Sequence, residues 1–185
     1  MPENIVKSHF LSFTIFLTTL ILFVCSSVRH ALFQSNAWDL GIFDQAVYLI
    51  SQGKSPISSL LGFHILGDHG ALIFYPLALF YKFYPDVHWL FAIQAVALSL
   101  GALPTYLLAR QANLKEHQAQ TMGIVYLLYP LIFNLNLFDF HPEVIALPAI
   151  LWAVFAARQG YFGCFFCSYY NFKLQGCTIL DLLRK

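Results

Sequence analysis

Carboxylates and imidazoles gather in three short runs of this sequence: 38–45 (Trp-Asp-Leu-Gly-Ile-Phe-Asp-Gln), 63–70 (Phe-His-Ile-Leu-Gly-Asp-His-Gly) and 138–143 (Phe-Asp-Phe-His-Pro-Glu). In the first, a carboxylate held beside a reacting group can act as a general base toward an acceptor hydroxyl, which makes Asp39 the candidate base and Asp44 a second catalytic candidate. The alternative for the same residues is structural, with Asp39 complementing a helix dipole and Asp44 facing water. In the second, His64, Asp68 and His69 carry ligand types that suit zinc or manganese, but without a fixed spacing such as HExxH. The run can equally hold a phosphate through its histidines and backbone donors at the start of the helix that follows Gly70, which makes Asp68 and His69 candidate substrate-binding residues. In the third, Asp139, His141 and Glu143 crowd one tight turn. Pro142 suits the first turn of a helix there, and helix capping needs one acid rather than three ionisable groups. These three are candidate substrate-binding residues. Cofactors are not specified by any of the runs, and a divalent metal stays open beside none at all. Cys164 and Cys167 form a CxxC with no second ligand pair, so aromatic interface packing explains them better than zinc.

The elements that position these runs must be membrane helices. Hydrophobic residues make up 59% of the 185-residue chain and charged residues 10%, against about 25% charged in soluble domains. A core of this size cannot hide so much apolar surface, so lipid must solvate much of it. The net charge of +1 carries no electrostatic footprint for nucleic acid. Four stretches approach the roughly 20 apolar residues that a crossing needs: about 9–28, 88–109, 121–138 and 143–158. The first is long for a signal-peptide core and lacks a small-x-small cleavage site, so it reads as a retained helix. Pro104, Pro130 and Pro148 fall within spans and should kink them. The expected fold is therefore an all-α, polytopic transmembrane helix bundle of about four spans, forming a transmembrane domain over residues 1–160.

Lys7, Arg110, Lys115 and Arg158 flank the spans on one side, which the positive-inside bias makes cytoplasmic, with the N-terminus. The opposite side receives a long loop, about 29–87, and a tight one, about 137–143, with all three chemical runs. Within the long loop, Trp38, Ile42, Phe43, Ala46, Val47, Leu49 and Ile50 recur at helical spacing. This predicts an amphipathic interface helix over about 38–52, capped by Asn36 and closed by Gly53. A second, over about 71–84, is too short to cross. Residues 161–185 change character and read as an atypical tail, a truncated or frameshifted end.

With these segments in place, the chain resembles an uncharacterised bacterial family of polytopic membrane proteins, domain of unknown function 2079. That family is itself similar to the lipid-sugar-dependent glycosyltransferases of the type-C fold, such as protein O-mannosyltransferases and aminoarabinose transferases. The resemblance rests on residues 38–45, on Gly67-Asp68-His69-Gly70 leading into Phe74-Tyr75-Pro76-Leu77, on 101–110 and on 138–143, and covers about 10–160. It implies the N-terminal half of a type-C-like fold in the inner membrane. It also implies hexosyl- or pentosyl-transfer from a polyprenyl-phosphate sugar, with Asp39 as base and Asp139 at the place of a second acid. Leu40 stands where those enzymes carry the second acid of a pair. Beside membrane lipid, the polyprenyl-phosphate sugar is thus the expected partner. The competing readings are a transport component, a non-catalytic membrane protein and an inactive truncated fragment.

Overall fold

The computed structural model describes residues 9–68 and 70–160, and its architecture is all-α. Helix α1 runs His9–Ala31, α2 Ile42–Ser51, α3 Phe74–Phe83, α4 His88–Leu100, α5 Ala102–Gln111, α6 Glu116–Leu127, α7 Pro130–Leu137 and α8 Ala146–Arg158. Among the described residues, two helical segments are long and apolar enough to cross a membrane: α1, and α4 with α5 as one rod, His88–Gln111. They do so differently. Only 17% of the apolar window of α1 is buried, against 67% for the α4–α5 rod. Phe10, Phe13, Phe16, Leu17, Leu20 and Val24 of α1 point outward, a continuous apolar face that water would not tolerate. Two of its hydroxyls are closed locally, Thr14 and Thr19 donating to the carbonyls of Phe10 and Ile15 at 2.8 and 2.9 Å.

Proline decides where the other expected crossings break. Pro130 forces Tyr129 into an extended conformation (φ −65°, ψ 123°) and becomes the first residue of α7, because its ring excludes a helical predecessor. The stretch 121–138 is consequently two helices rather than one kinked span. Pro148 does not kink its helix. It sits in the first turn of α8, where an amide has no intrahelical partner to lose. Its predecessor 142–145 is a tighter 3-10 turn, so the α-helix proper begins at Ala146. Pro104 leaves the Leu100 carbonyl without its usual amide partner, and the rod is interrupted between Leu100 and Ala102; next to it the Thr105 hydroxyl donates to the Gly101 carbonyl at 2.8 Å.

The predicted interface helix over 38–52 is a π-helical turn, Ala37–Gly41, running into α2. Asn36 caps it, its side chain accepting from the Trp38 amide at 2.9 Å. Its apolar face does not lie on lipid. Ile42, Phe43, Ala46 and Val47 are buried against Phe74, Leu77, Ala78 and Tyr81 of α3, with Phe140 behind them. Gln45 ties the following loop down by accepting from the Ser59 amide at 2.9 Å and its hydroxyl at 3.1 Å. Further along the bundle, a middle cluster joins Leu22, Ala95, Leu98, Ile132 and Val144. The far end joins Leu11, Tyr106, Leu107 and Ala119.

Close packing between α4–α5 and α6 depends on Gly101. A Cβ there would meet the Tyr126 hydroxyl at 2.1 Å, and that hydroxyl donates to the Leu98 carbonyl at 2.9 Å. Gly101→Ala should therefore displace Tyr126 and destabilise the fold by about 1–3 kcal/mol, the usual cost of overpacking. Thermal unfolding in mild detergent reads this, and an unchanged midpoint would contradict the packing described.

Candidate functional site

The site is assembled around a turn that local sequence disfavours. Between α7 and the 3-10 turn at Pro142, Asp139 takes a positive φ of 69°, a region that aspartate and asparagine tolerate better than most residues. The residue is 4% exposed. A carboxylate buried this deeply must be paired. Arg29, at the end of α1, donates to its Oδ1 at 2.6 Å, and the Asn36 amide donates to its Oδ2 at 2.8 Å. One carboxylate thus joins the end of α1, the start of the following loop and the α7–α8 turn.

The turn is held from inside by Gln94 of α4, which is fully buried. Gln94 Nε2 donates to the carbonyls of Asp139 at 2.8 Å and Asn136 at 3.3 Å, while its Oε1 accepts from the His141 amide at 2.9 Å. Asn136 in turn donates to the Leu22 carbonyl at 2.8 Å and the Ser26 hydroxyl at 2.7 Å. These contacts place the main chain on either side of Asp139 and so aim His141.

His141 meets Asp39. Its Nε2 lies 3.8 Å from Asp39 Oδ1, and both side chains are partly exposed, 24% and 28%. The imidazole is sandwiched by aromatic rings, stacked on Phe138 with centroids 5.2 Å apart and edge-on to Phe43 at 6.1 Å. Asp39 is presented by the π-helical turn, whose wider winding carries the chain from Asn36 into α2. Leu40 beside it is only 3% exposed and belongs to the core. A carboxylate at that position would be removed from water. A partly exposed carboxylate facing an imidazole is an arrangement able to accept and relay a proton.

Asp44 lies elsewhere. Its Oδ1 accepts from the Tyr81 hydroxyl of α3 at 2.6 Å. Burial pushes its carboxyl pKa upward, the Asp86 charge adds to this, and the Tyr81 hydrogen bond and His30 oppose it. Burial likewise drives the Tyr81 phenol up, reinforced by the same carboxylate. The group around Asp44 includes Asp86 and His88, which the motif reading did not single out. Asp86 Oδ1 accepts from the His88 amide at 2.8 Å and pairs with its Nδ1 at 2.5 Å. Burial of Asp86 is slight, and its upward pull is outweighed by these contacts, which lower the carboxyl pKa. The Asp-Val-His spacing before an apolar run was the available signal.

In the 63–70 run, His64 Nδ1 accepts from the Leu66 amide at 3.2 Å and so begins the 3-10 turn Ile65–Gly67. Asp68 is exposed at its end. His69 lies outside the described residues, as do Cys164, Cys167 and the tail after Gly160. Among the described residues, no group of three or more His, Cys, Asp or Glu side chains is placed to hold a metal ion. Glu143 sits half-buried in the 3-10 turn after His141.

One family model, described as Predicted membrane protein (DUF2079), matches residues 29–170. No curated protein and no solved structure matches the chain.

Two outcomes follow from the geometry. Asp139→Asn should cost about 2–4 kcal/mol, because it strips a buried carboxylate from an arginine that is itself partly solvated. Asp139→Ala should cost roughly 1–2 kcal/mol more, since alanine is strained at positive φ. Equal losses in chemical denaturation would refute the backbone part of this account. For Asp44 the folded carboxyl holds its proton to higher pH than the unfolded value of 3.8, so the folded state binds more protons in that window. Its contribution is full below 3.8 and is lost as pH rises through the raised value. The unfolding midpoint of the wild type minus that of Asp44→Asn should therefore fall as pH is raised from 4 to 8. A difference that grows with pH would reverse the sign of the assignment.

Proposed function

The chain belongs to the family of predicted membrane proteins DUF2079, and we propose that Asp39 and His141 form the acid–base centre of a glycosyltransferase on the extracytoplasmic face of the inner membrane. In this reading the described helices are the N-terminal half of a type-C-like, multi-pass fold of about four spans, with the N-terminus in the cytoplasm. In it, α6 with α7, and the 3-10 turn with α8, cross as broken helices beside α1 and the α4–α5 rod. The donor is a polyprenyl-phosphate sugar and the acceptor carries a hydroxyl. Asp39 takes the hydroxyl proton as the acceptor oxygen bonds to the anomeric carbon. The bond from that carbon to the phosphate oxygen breaks, and polyprenyl phosphate leaves. His141 stands beside the Asp39 carboxylate and is the group to which the captured proton can pass.

The observation that carries the proposal is the approach of Asp39 and His141 to 3.8 Å, with both partly open to solvent. Two residues from distant runs are brought together where neither is needed to seal the core. Asp139 acts one step removed in this scheme. Paired with Arg29 and the Asn36 amide, it positions His141 and the loop that carries Asp39. Asp68, His69 and Glu143 remain candidates for holding the donor's phosphate or sugar, and His64 with Asp68 and His69 for a divalent metal.

A labelled polyprenyl-phosphate hexose or pentose, presented with the protein in proteoliposomes, tests the reading. Asp39→Asn should lower transfer at least 100-fold, within the range by which a positioned base accelerates a reaction. His141→Gln should lower it less. Undiminished transfer by Asp39→Asn would remove Asp39 as the base.

A further inference from the structure

Two cavities on the flank of the bundle meet at Trp89 and Ala92 of α4. The first, about 340 Å3, lies beside the start of α4 and is lined by Phe23, Tyr84, Asp86, His88 and Trp89. The second, about 500 Å3, continues along α4 past Ile93, Val96 and Leu100 and is closed on its other side by Pro148 and Trp152 of α8. Together they form one groove, aromatic at the mouth, where Asp86 and His88 stand, and apolar along its length.

Charge at the mouth selects the headgroup. Among the described residues, Asp86 is the one acidic side chain lining it, and no lysine or arginine lines either cavity. His88 occupies Asp86 Oδ1 alone, so Oδ2 has no partner among the described residues. The contacts from His88 also keep this carboxyl below its ordinary pKa, hence anionic at neutral pH. Three aromatic rings stand around it, and the Trp89 indole is fixed by donating to the Tyr84 carbonyl at 3.1 Å. A carboxylate among aromatic faces is the chemistry that binds an ammonium group. A phosphate or carboxylate headgroup would meet repulsion there instead.

The length of the apolar part selects the tail. From Trp89 to Leu100 the helix rises about 16 Å, close to the ~15 Å of one leaflet of a hydrocarbon core about 30 Å thick. Val96, Leu100 and Trp152 are left substantially exposed along it, at 42%, 42% and 38%. The mouth sits at the end of the membrane-crossing rod, where tyrosine and tryptophan meet lipid headgroups. We propose that this groove binds a phospholipid whose headgroup ends in a primary ammonium, with the ammonium on Asp86 and one acyl chain along α4 toward Leu100. The site is separate from the Asp39–His141 centre, and neither depends on the other.

Tryptophan fluorescence tests it. In the full chain carrying Trp38→Phe, the remaining indoles, Trp89 and Trp152, both line the groove. The protein is reconstituted in phosphatidylglycerol vesicles with one-tenth of the lipid replaced by a species brominated on its acyl chain. Brominated phosphatidylethanolamine should quench at least threefold more than brominated phosphatidylglycerol. Asp86→Asn should abolish that preference while the non-selective quenching persists. Because Asp86 also anchors the start of α4, a second arm leaves the protein unchanged: N-acylated brominated phosphatidylethanolamine, which lacks the ammonium, should quench no more than phosphatidylglycerol. Equal quenching by all three lipids, or a preference that survives loss of the ammonium, would overturn the proposal. So would weak quenching by every lipid, as expected of a groove filled by protein.

Discussion

A single buried carboxylate sets most of the geometry at the end of the bundle that holds Asp39 and His141. Asp139 is nearly sealed from solvent and is the one charged side chain in the buried interior of the described residues, and an ion in such surroundings is tolerable only when paired and hydrogen-bonded. Arg29 and the Asn36 amide meet that demand. To do so they must come from the end of α1 and from the loop beyond it. The pairing therefore registers α1 against the α7–α8 turn and fixes where the chain enters the π-helical turn that carries Asp39. Removing the charge would not merely lose a contact. It would release the point from which three segments take their relative positions.

The same logic extends inward through neutral groups. In lipid there is little hydrophobic drive between helices, so close approach and interhelical hydrogen bonds decide which faces meet. Gln94, Asn136 and Ser26 tie α4, α7 and α1 together within the bundle. Gly101 lets the Tyr126 side chain cross close to the backbone of the α4–α5 rod. The contrast between the two apolar segments follows. The rod α4–α5 carries the polar anchor and the small residue and is mostly enclosed, whereas α1 turns most of its apolar surface outward.

These supports divide the ionisable groups into two neighbourhoods. Asp39 and His141 stand partly exposed and face each other, with aromatic rings about the imidazole. Asp44 is drawn away by Tyr81 into a more buried setting that favours its neutral form, beside the Asp86–His88 pair. Sequence proximity within the run 38–45 suggested a shared role for Asp39 and Asp44. The winding of the π-helical turn and the packing of α2 on α3 send their side chains to different partners.

Composition and apolar run length were enough to make this a helical membrane protein, because no soluble core accommodates so few charges and so many long apolar stretches. The cap at Asn36, the stop at Gly53 and the chain break forced by Pro130 are likewise local chemistry, readable from residue type, although whether Pro130 kinks a helix or ends it was not. What the tertiary structure alone decided is which polar groups meet. The apolar stripe of α2 reads the same whether it covers lipid or protein, and only the aromatic face of α3 resolves it. Gln94 looks unremarkable in an apolar helix until its amide is seen bridging the two sides of the 139–141 turn. The three chemical runs that opened the reading are separated by long stretches of chain, and spacing carries no information across such distances. It took the burial of Asp139, and the arginine that burial requires, to bring Asp39 and His141 face to face.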